Sequence, residues 1–222
     1  MERKKIVQIS DVHLGIINSE KLMKKIVKKI NSVSPAALFI TGDLFDGSDG
    51  DLDLMSSSLT DVRAERGIFF ISGNHETYLG TEIAYRVLRN KGVKVLNDEV
   101  VDVGGLKIAG ISYSERGEHK NIVSAAKKLE KDFRGKPNIL LCHSPRFAQD
   151  FRALGVNLQL SGHSHKGQIF PFGFISRIIF NGYDYGLFVE GDYTLYTTSG
   201  TATWGPAMRT EGASEIAVIT LR

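Results

Sequence analysis

Five short apolar runs in this chain each end abruptly in residues that bind metal ions or move protons. Residues 36–40, AALFI, run into Thr41-Gly42-Asp43-Leu44-Phe45-Asp46, and residues 6–10, IVQIS, run into Asp11-Val12-His13. The same design recurs where IFFIS meets Gly73-Asn74-His75-Glu76, where ILLC meets His143, and where LQL meets Ser161-Gly162-His163-Ser164-His165. Runs of this length read as buried strands. In an open α/β sheet the crevice beyond the carboxyl ends of the strands is where ligands bind. A chain punctuated in this way is therefore constrained to bring several loops to one sheet edge.

Carboxylates and histidines also occupy ordinary loops, where they close turns and cap helices. Their distribution here argues for a shared site. Of six histidines, five (His13, His75, His143, His163 and His165) directly follow a strand-like run, and only His119 lies elsewhere. Carboxylate, amide and imidazole donors gathered in this way suit a metal centre better than scattered solvated loops.

The chain has 222 residues, enough for one domain with a sizeable core, and we expect a single domain over 1–222. A net charge of +3 gives no strong nucleic-acid signal, which needs a clustered basic surface. The single cysteine, Cys142, excludes an internal disulfide framework and reads as a small buried hydrophobe. The N-terminus leads directly into the first strand, without an apolar stretch long enough for a signal peptide or membrane span, so the expected location is the cytoplasm.

Between the strands lie helical patterns. Residues 19–30 place Leu22, Met23, Ile26, Val27 and Ile30 on one face, opposite lysines at 21, 24, 25, 28 and 29 that read as a solvated stripe. Further helices are predicted over 52–63, 81–91 and 120–133, with Gly92 stopping the second of these. Residues 93–96, 100–103 and 106–111 read as strands, the last two a hairpin about Gly104-Gly105, and 186–190 with 193–198 make another. A loop from 197 to 206 is expected near the site, and 215–221 closes as an alternating strand. The predicted fold is a mixed α/β sandwich.

The segments DVH, GDLFD, GNHE, CHS and GHSH, in that order over roughly residues 5–170, resemble the signature of calcineurin-like metallophosphoesterases, and in particular a branch of small microbial phosphodiesterases. Any one segment alone would be weak, but five in order are specific. The resemblance implies a four-layer sandwich of two mixed β-sheets flanked by helices. It also implies two metal ions, manganese, iron or zinc by ligand type. One ion would take Asp11, His13, Asp43 and His165, and the other Asp43, Asn74, His143 and His163. Asp43 is the expected bridge, since paired cations about 3.5–4 Å apart need a shared carboxylate. The spacing of His163 and His165 suits one histidine per metal if the segment turns. His75 would face substrate as proton donor or charge stabiliser, with Asp46 orienting it; the weaker competing reading is that Asp46 caps a turn.

The implied reaction is in-line attack on phosphorus by a metal-bridging hydroxide, most simply on a phosphodiester. Alternatives are a phosphomonoesterase, including a protein phosphatase, and a pyrophosphatase of a sugar-nucleotide lipid. A non-catalytic scaffold is disfavoured because no ligand position is missing. Ser10, Ser144 and Ser164 lie outside any nucleophile-elbow pattern. Lys166 and Arg146 depart from the branch's usual residues: Lys166 stands either as a phosphate contact or as a solvated cation, and Arg146, where the branch often has an acidic residue, changes the expected local substrate contacts. Residues 169–180, IFPFGFISRIIF, have neither clean helical nor alternating periodicity. They read either as a wall that meets a lipid-linked substrate or a membrane surface peripherally, or as a loop packed on the core.

Overall fold

The computed structural model describes residues 4–47, 50–113 and 120–221. His119 lies outside the described residues. Strands β1 (Lys4–Ile9), β2 (Ala37–Thr41), β3 (Ile68–Ile71) and β4 (Lys94–Val95) form a parallel array, closed on its other edge by antiparallel β11 (Ala217–Leu221) in the order β11-β1-β2-β3-β4. The second sheet has the order β5-β6-β7-β8-β10-β9, built from β5 (Glu99–Val103), β6 (Leu106–Ile111), β7 (Asn138–Cys142), β8 (Leu158–Ser161), β9 (Gly186–Glu190) and β10 (Tyr193–Thr197). Its centre is parallel and both edges are antiparallel hairpins, as the Gly-rich turns predict.

Alternation along the strands creates the layers, because successive side chains leave a sheet on opposite faces. Ile6, Phe39, Phe69, Ile71, Ile139, Leu141 and Leu160 meet between the two sheets. Val7, Ile9, Leu38, Ile40 and Phe70 point the other way, onto α1 (Glu20–Ser32) and α4 (Thr81–Asn90) through Met23, Ile26, Ile30, Tyr85 and Leu88. Ala109, Leu140 and Leu195 cover the outer face of the second sheet together with Ala126, Phe133 and Phe151 of α5 (Ile122–Phe133) and α6 (Ala148–Ala153). The result is two mixed sheets flanked by helices. Gln8 ties the sheets together near the site, donating from Nε2 to Thr41 Oγ1 and to the carbonyl of Ser161, both at 2.9 Å.

Three local readings are revised. The helix predicted over 52–63 is only α2 (Leu52–Met55), followed by a 3₁₀ turn at Ser57–Asp61. Ser56 Oγ bonds back to the Leu52 carbonyl at 2.6 Å, an alternative partner that ends a helix inside a serine run. Residues 76–79 form an unpredicted short helix, α3 (Glu76–Leu79). Residues 172–179, read as irregular, form α7 (Phe172–Ile179), whose large apolar side chains face solvent instead of the core. Among the described residues no helix is long and apolar enough to cross a membrane.

Candidate metal centre

The carboxyl ends of β1, β2, β3, β7 and β8 converge, and the chain turns sharply after β1, β2 and β8. Asp11, His13, Asp43, His163 and His165 all adopt positive φ, between 49° and 71°. L-residues other than Asn and Asp seldom enter this region, and its concentration in one place marks a site where surrounding structure holds the backbone. Gly42, at φ 93°, lets β2 pass close to its neighbours. A Cβ there would stand 2.5 Å from His143 Nδ1 and 2.8 Å from the Gly73 nitrogen.

Two sets of donors result. In the first, His13 Nε2 and His165 Nε2 face each other at 3.1 Å, and Asp11 Oδ1 lies 3.4 Å from His165 Nε2. In the second, His143 Nε2 lies 3.1 Å from both His163 Nδ1 and Asp43 Oδ2. The same Asp43 oxygen is 4.0 Å from His13 Nε2, so it stands between the sets. His163 and His165 thus part into different sets, as a turn at Ser164 requires. Asn74 directly precedes His75, whose backbone nitrogen meets the Asp43 carboxylate, and the Asn74 Oδ1 is buried with no hydrogen-bond partner.

The arrangement fits cations. Imidazole nitrogens aimed at one another at 3.1 Å need a proton or a metal between them. Burial, with the imidazole of His143 beside it, pushes His163 down to about 4, and burial likewise pushes His165 down to about 4. Both rings therefore present lone pairs at neutral pH. Burial also disfavours a charged His143, but Asp43, its hydrogen bond and Asp11 outweigh this and push it up to about 10. His143 Nδ1 donates to the Thr41 carbonyl at 2.7 Å, leaving Nε2 directed into the set. Burial opposes ionisation of Asp43 and Asp11 as well, yet the surrounding histidines hold both below the usual carboxylate range.

His75 stands beside the sets, its ring centroid 4.5 Å from that of His13. Its backbone nitrogen donates to Asp43 Oδ1 at 2.9 Å. Its Nδ1 meets the main-chain carbonyl of Asp46 at 2.7 Å, whereas the Asp46 carboxylate is 3.8 Å away and lies nearer His13 Nδ1, at 3.5 Å. The orienting atom is therefore the carbonyl rather than the expected carboxylate. A carbonyl accepts only, so Nδ1 carries the hydrogen and Nε2 is left for chemistry.

Two further residues serve the site without having been singled out in the sequence. Glu76 is wholly buried, and its carboxylate accepts from the backbone nitrogens of Asp43 (3.0 Å), Phe45 (3.0 Å) and Gly73 (2.7 Å). Its place in GNHE, at the start of a short helix, was the available signal. Arg209 donates to the carbonyls of His165 (2.8 Å), Ser199 (2.9 Å) and Ala202 (3.0 Å), binding the C-terminal loop to a metal-ligand candidate. No local pattern distinguishes it. The 197–206 loop does border the site, with the Trp204 ring 6.0 Å from His75.

Lys166 Nζ lies 4.5 Å above the Tyr185 ring and the Arg146 guanidinium 5.8 Å from the Phe180 ring. A cavity of ≈ 430 Å³ opens beside His143 and His163, between Tyr113, Ile122, Arg146 and Phe147.

Fold and donor sets together define a metallophosphoesterase. A profile of calcineurin-like phosphoesterases matches residues 4–167, and the chain belongs to that family. It is 35% identical over 221 residues to an uncharacterized metallophosphoesterase of Campylobacter jejuni, covering 98% of this chain and 59% of that protein. It is 32% identical to one of Aquifex aeolicus, covering 98% of this chain and 85% of that protein. Among solved structures, TT1561 of Thermus thermophilus shares the fold with a TM-score of 0.58 at 13% identity, over 90% of this chain and 92% of that one. The chain spans less than two thirds of the Campylobacter relative's length.

Proposed function

We propose that the chain hydrolyses a phosphodiester at a binuclear metal centre. The observation that carries this reading is the two donor clusters, Asp11-His13-His165 and Asp43-His143-His163, joined through a third, His13-Asp43-His75. Asp11, His13, Asp43 and His165 would hold one ion, and Asp43, Asn74, His143 and His163 the other. Two bound cations would supply acidified water and neutralise the oxygens of the phosphoryl group, and the ligand types suit manganese, iron or zinc.

The chain's own residues supply the rest. The Asp46 carbonyl fixes the His75 ring, so that Nε2 of its imidazolium can hand a proton to the departing alkoxide. Arg209 and Thr41 hold the ligand loops from behind, through the His165 carbonyl and His143 Nδ1. The cavity beside His143 has room for a second ester substituent, which favours a diester over a monoester.

The test is hydrolysis of an aryl phosphodiester and its matching monoester after reconstitution with manganese, zinc or iron. Metal-dependent preference for the diester is expected, and preference for the monoester would overturn the assignment. Asp43→Asn should lose metal and turnover together. His75→Ala should keep its metals while kcat falls roughly 10²–10⁴-fold, the usual contribution of a general acid. Equal loss of metal in both variants would refute the separate roles.

A further inference from the structure

Helix α7 is amphipathic in the inverted sense. Its small residues, Gly173 and Ser176, face the protein, and Ser176 is the helix's one buried residue. The large apolar residues face solvent: Phe172 is 54% exposed, Phe174 65%, Ile175 50%, Ile178 78% and Ile179 45%, and Phe170 just before the helix is 65% exposed. A contiguous outward patch of this kind on a protein surface marks a contact with something apolar. Core formation does not explain it, since the three hydrophobic clusters around the sheets contain none of these six residues.

The surroundings are cationic. Arg177 is exposed on the helix itself, exposed Arg146 reaches the Phe180 ring at the helix's end, and Lys166 sits at its foot over Tyr185. The carboxylate that meets the helix is that of Glu211, against Gly173, while nearby Asp184 is buried. Phe and Ile on the outer face, with Arg and Lys at the margins, are the residues of a helix lying in the plane of a lipid interface.

We propose that α7 docks on an anionic lipid bilayer, with Phe174, Ile175 and Ile178 entering the headgroup boundary and Arg146, Arg177 and Lys166 meeting lipid phosphates. The seat is coupled to the metal centre. α7 rests directly on the His165–Gly167 turn, packed so closely that a Cβ on Gly167 would lie 2.2 Å from the Gly173 nitrogen. Docking therefore sets ligand candidate His165 one layer from the lipid surface and brings phosphoesters carried by lipids within reach. This last consequence rests on the proposed phosphodiesterase reading, whereas docking does not.

The experiment is co-sedimentation of the full chain with large vesicles of phosphatidylcholine alone or with phosphatidylglycerol added, with and without metal. Binding is expected on the anionic vesicles, weaker at high salt, and reduced roughly tenfold or more in F174S/I178S, whose two side chains lie outside the core. R177E should weaken binding to anionic vesicles alone. Absence of binding, or equal binding by wild type and F174S/I178S, would overturn the proposal. So would a dimer in sedimentation velocity that F174S/I178S dissolves, since the face would then belong to a second copy. Hydrolysis of a soluble aryl diester should be unchanged in F174S/I178S. A wild type without that activity that still binds vesicles would refute the phosphodiesterase reading and leave docking standing.

Discussion

Glu76 offers the sharpest test of how the metal loops are held. In Glu76→Ala, the backbone N–H groups of Asp43, Phe45 and Gly73 lose their acceptor inside the protein. In Glu76→Gln, the amide oxygen can keep the two bonds made by Oε2, to Asp43 and Gly73, and only the Phe45 N–H is orphaned. Both replacements are neutral, so the cost of burying a charge cancels between them. They differ by two hydrogen bonds, and a buried unsatisfied donor costs ~1–3 kcal/mol, so Glu76→Ala should be less stable than Glu76→Gln by roughly 2–6 kcal/mol. The assay is urea unfolding of the chelated protein near pH 8. A difference under about 1 kcal/mol would refute the claim that this carboxylate fastens the β2 and β3 turns. The wild type adds a pH signature. Burial and Asp43 push Glu76 up to about 7, above its usual 4.5, so its contribution is greatest below 4.5 and is lost as pH rises through 7. The margin of wild type over Glu76→Gln should shrink across that window, and a constant margin would show that the carboxylate titrates normally.

Other perturbations follow from the same geometry. Because His163 and His165 titrate near 4 in the fold, against 6.5 when free, the unfolded chain binds more protons between those values. The urea midpoint of the metal-free protein should therefore fall as pH drops from 6.5 to 4, and a flat profile would contradict neutral, buried rings. Burial pushes the Cys142 thiol up to about 12, so it should ignore a disulfide reagent near pH 8 until the protein is unfolded. Gly42→Ala combines a left-handed backbone with a Cβ against His143, and should cost roughly 2–6 kcal/mol and weaken metal binding, as read by thermal unfolding and metal titration.

Much of this was legible because strand, turn and ligand are encoded within a few residues of each other. The runs that end at Asp11, Asp43, Asn74, His143 and His163 announce both the sheets and the site, since a buried apolar run stops where polar groups must be satisfied. Residues acting through long-range contacts left no such trace. Arg209 reaches the His165 carbonyl across 44 positions, and the cations over Tyr185 and Phe180 are set by tertiary packing. The Asp46 case shows a subtler limit: the right residue is marked, but sequence patterns speak of side chains, and the bond is made by the backbone. α7 escapes the periodicity reading because large apolar residues fill most of its positions, leaving Gly173 and Ser176 on the inward face with little polar contrast to reveal the period.

The left-handed backbone of the ligands explains why these loops must be held by one another. Five residues at positive φ cost roughly 1–3 kcal/mol each where the side chain is not glycine, a load comparable to the whole stability of a domain. The compensation is local and mutual. The Asp11 nitrogen donates to the Gly42 carbonyl at 3.1 Å, the His13 nitrogen to the Asp43 carbonyl at 3.0 Å, and the His163 nitrogen to both Asp11 carboxylate oxygens at 3.1 Å. The β1 loop is thereby locked to the β2 loop and the β8 loop to β1, while Glu76 fastens β2 to β3. No single loop could keep its ligands alone, because each strained turn is satisfied by groups that belong to another. The positions of the donor sets are thus a property of five loops together, and metal binding is expected to stabilise the fold as a whole rather than any one turn.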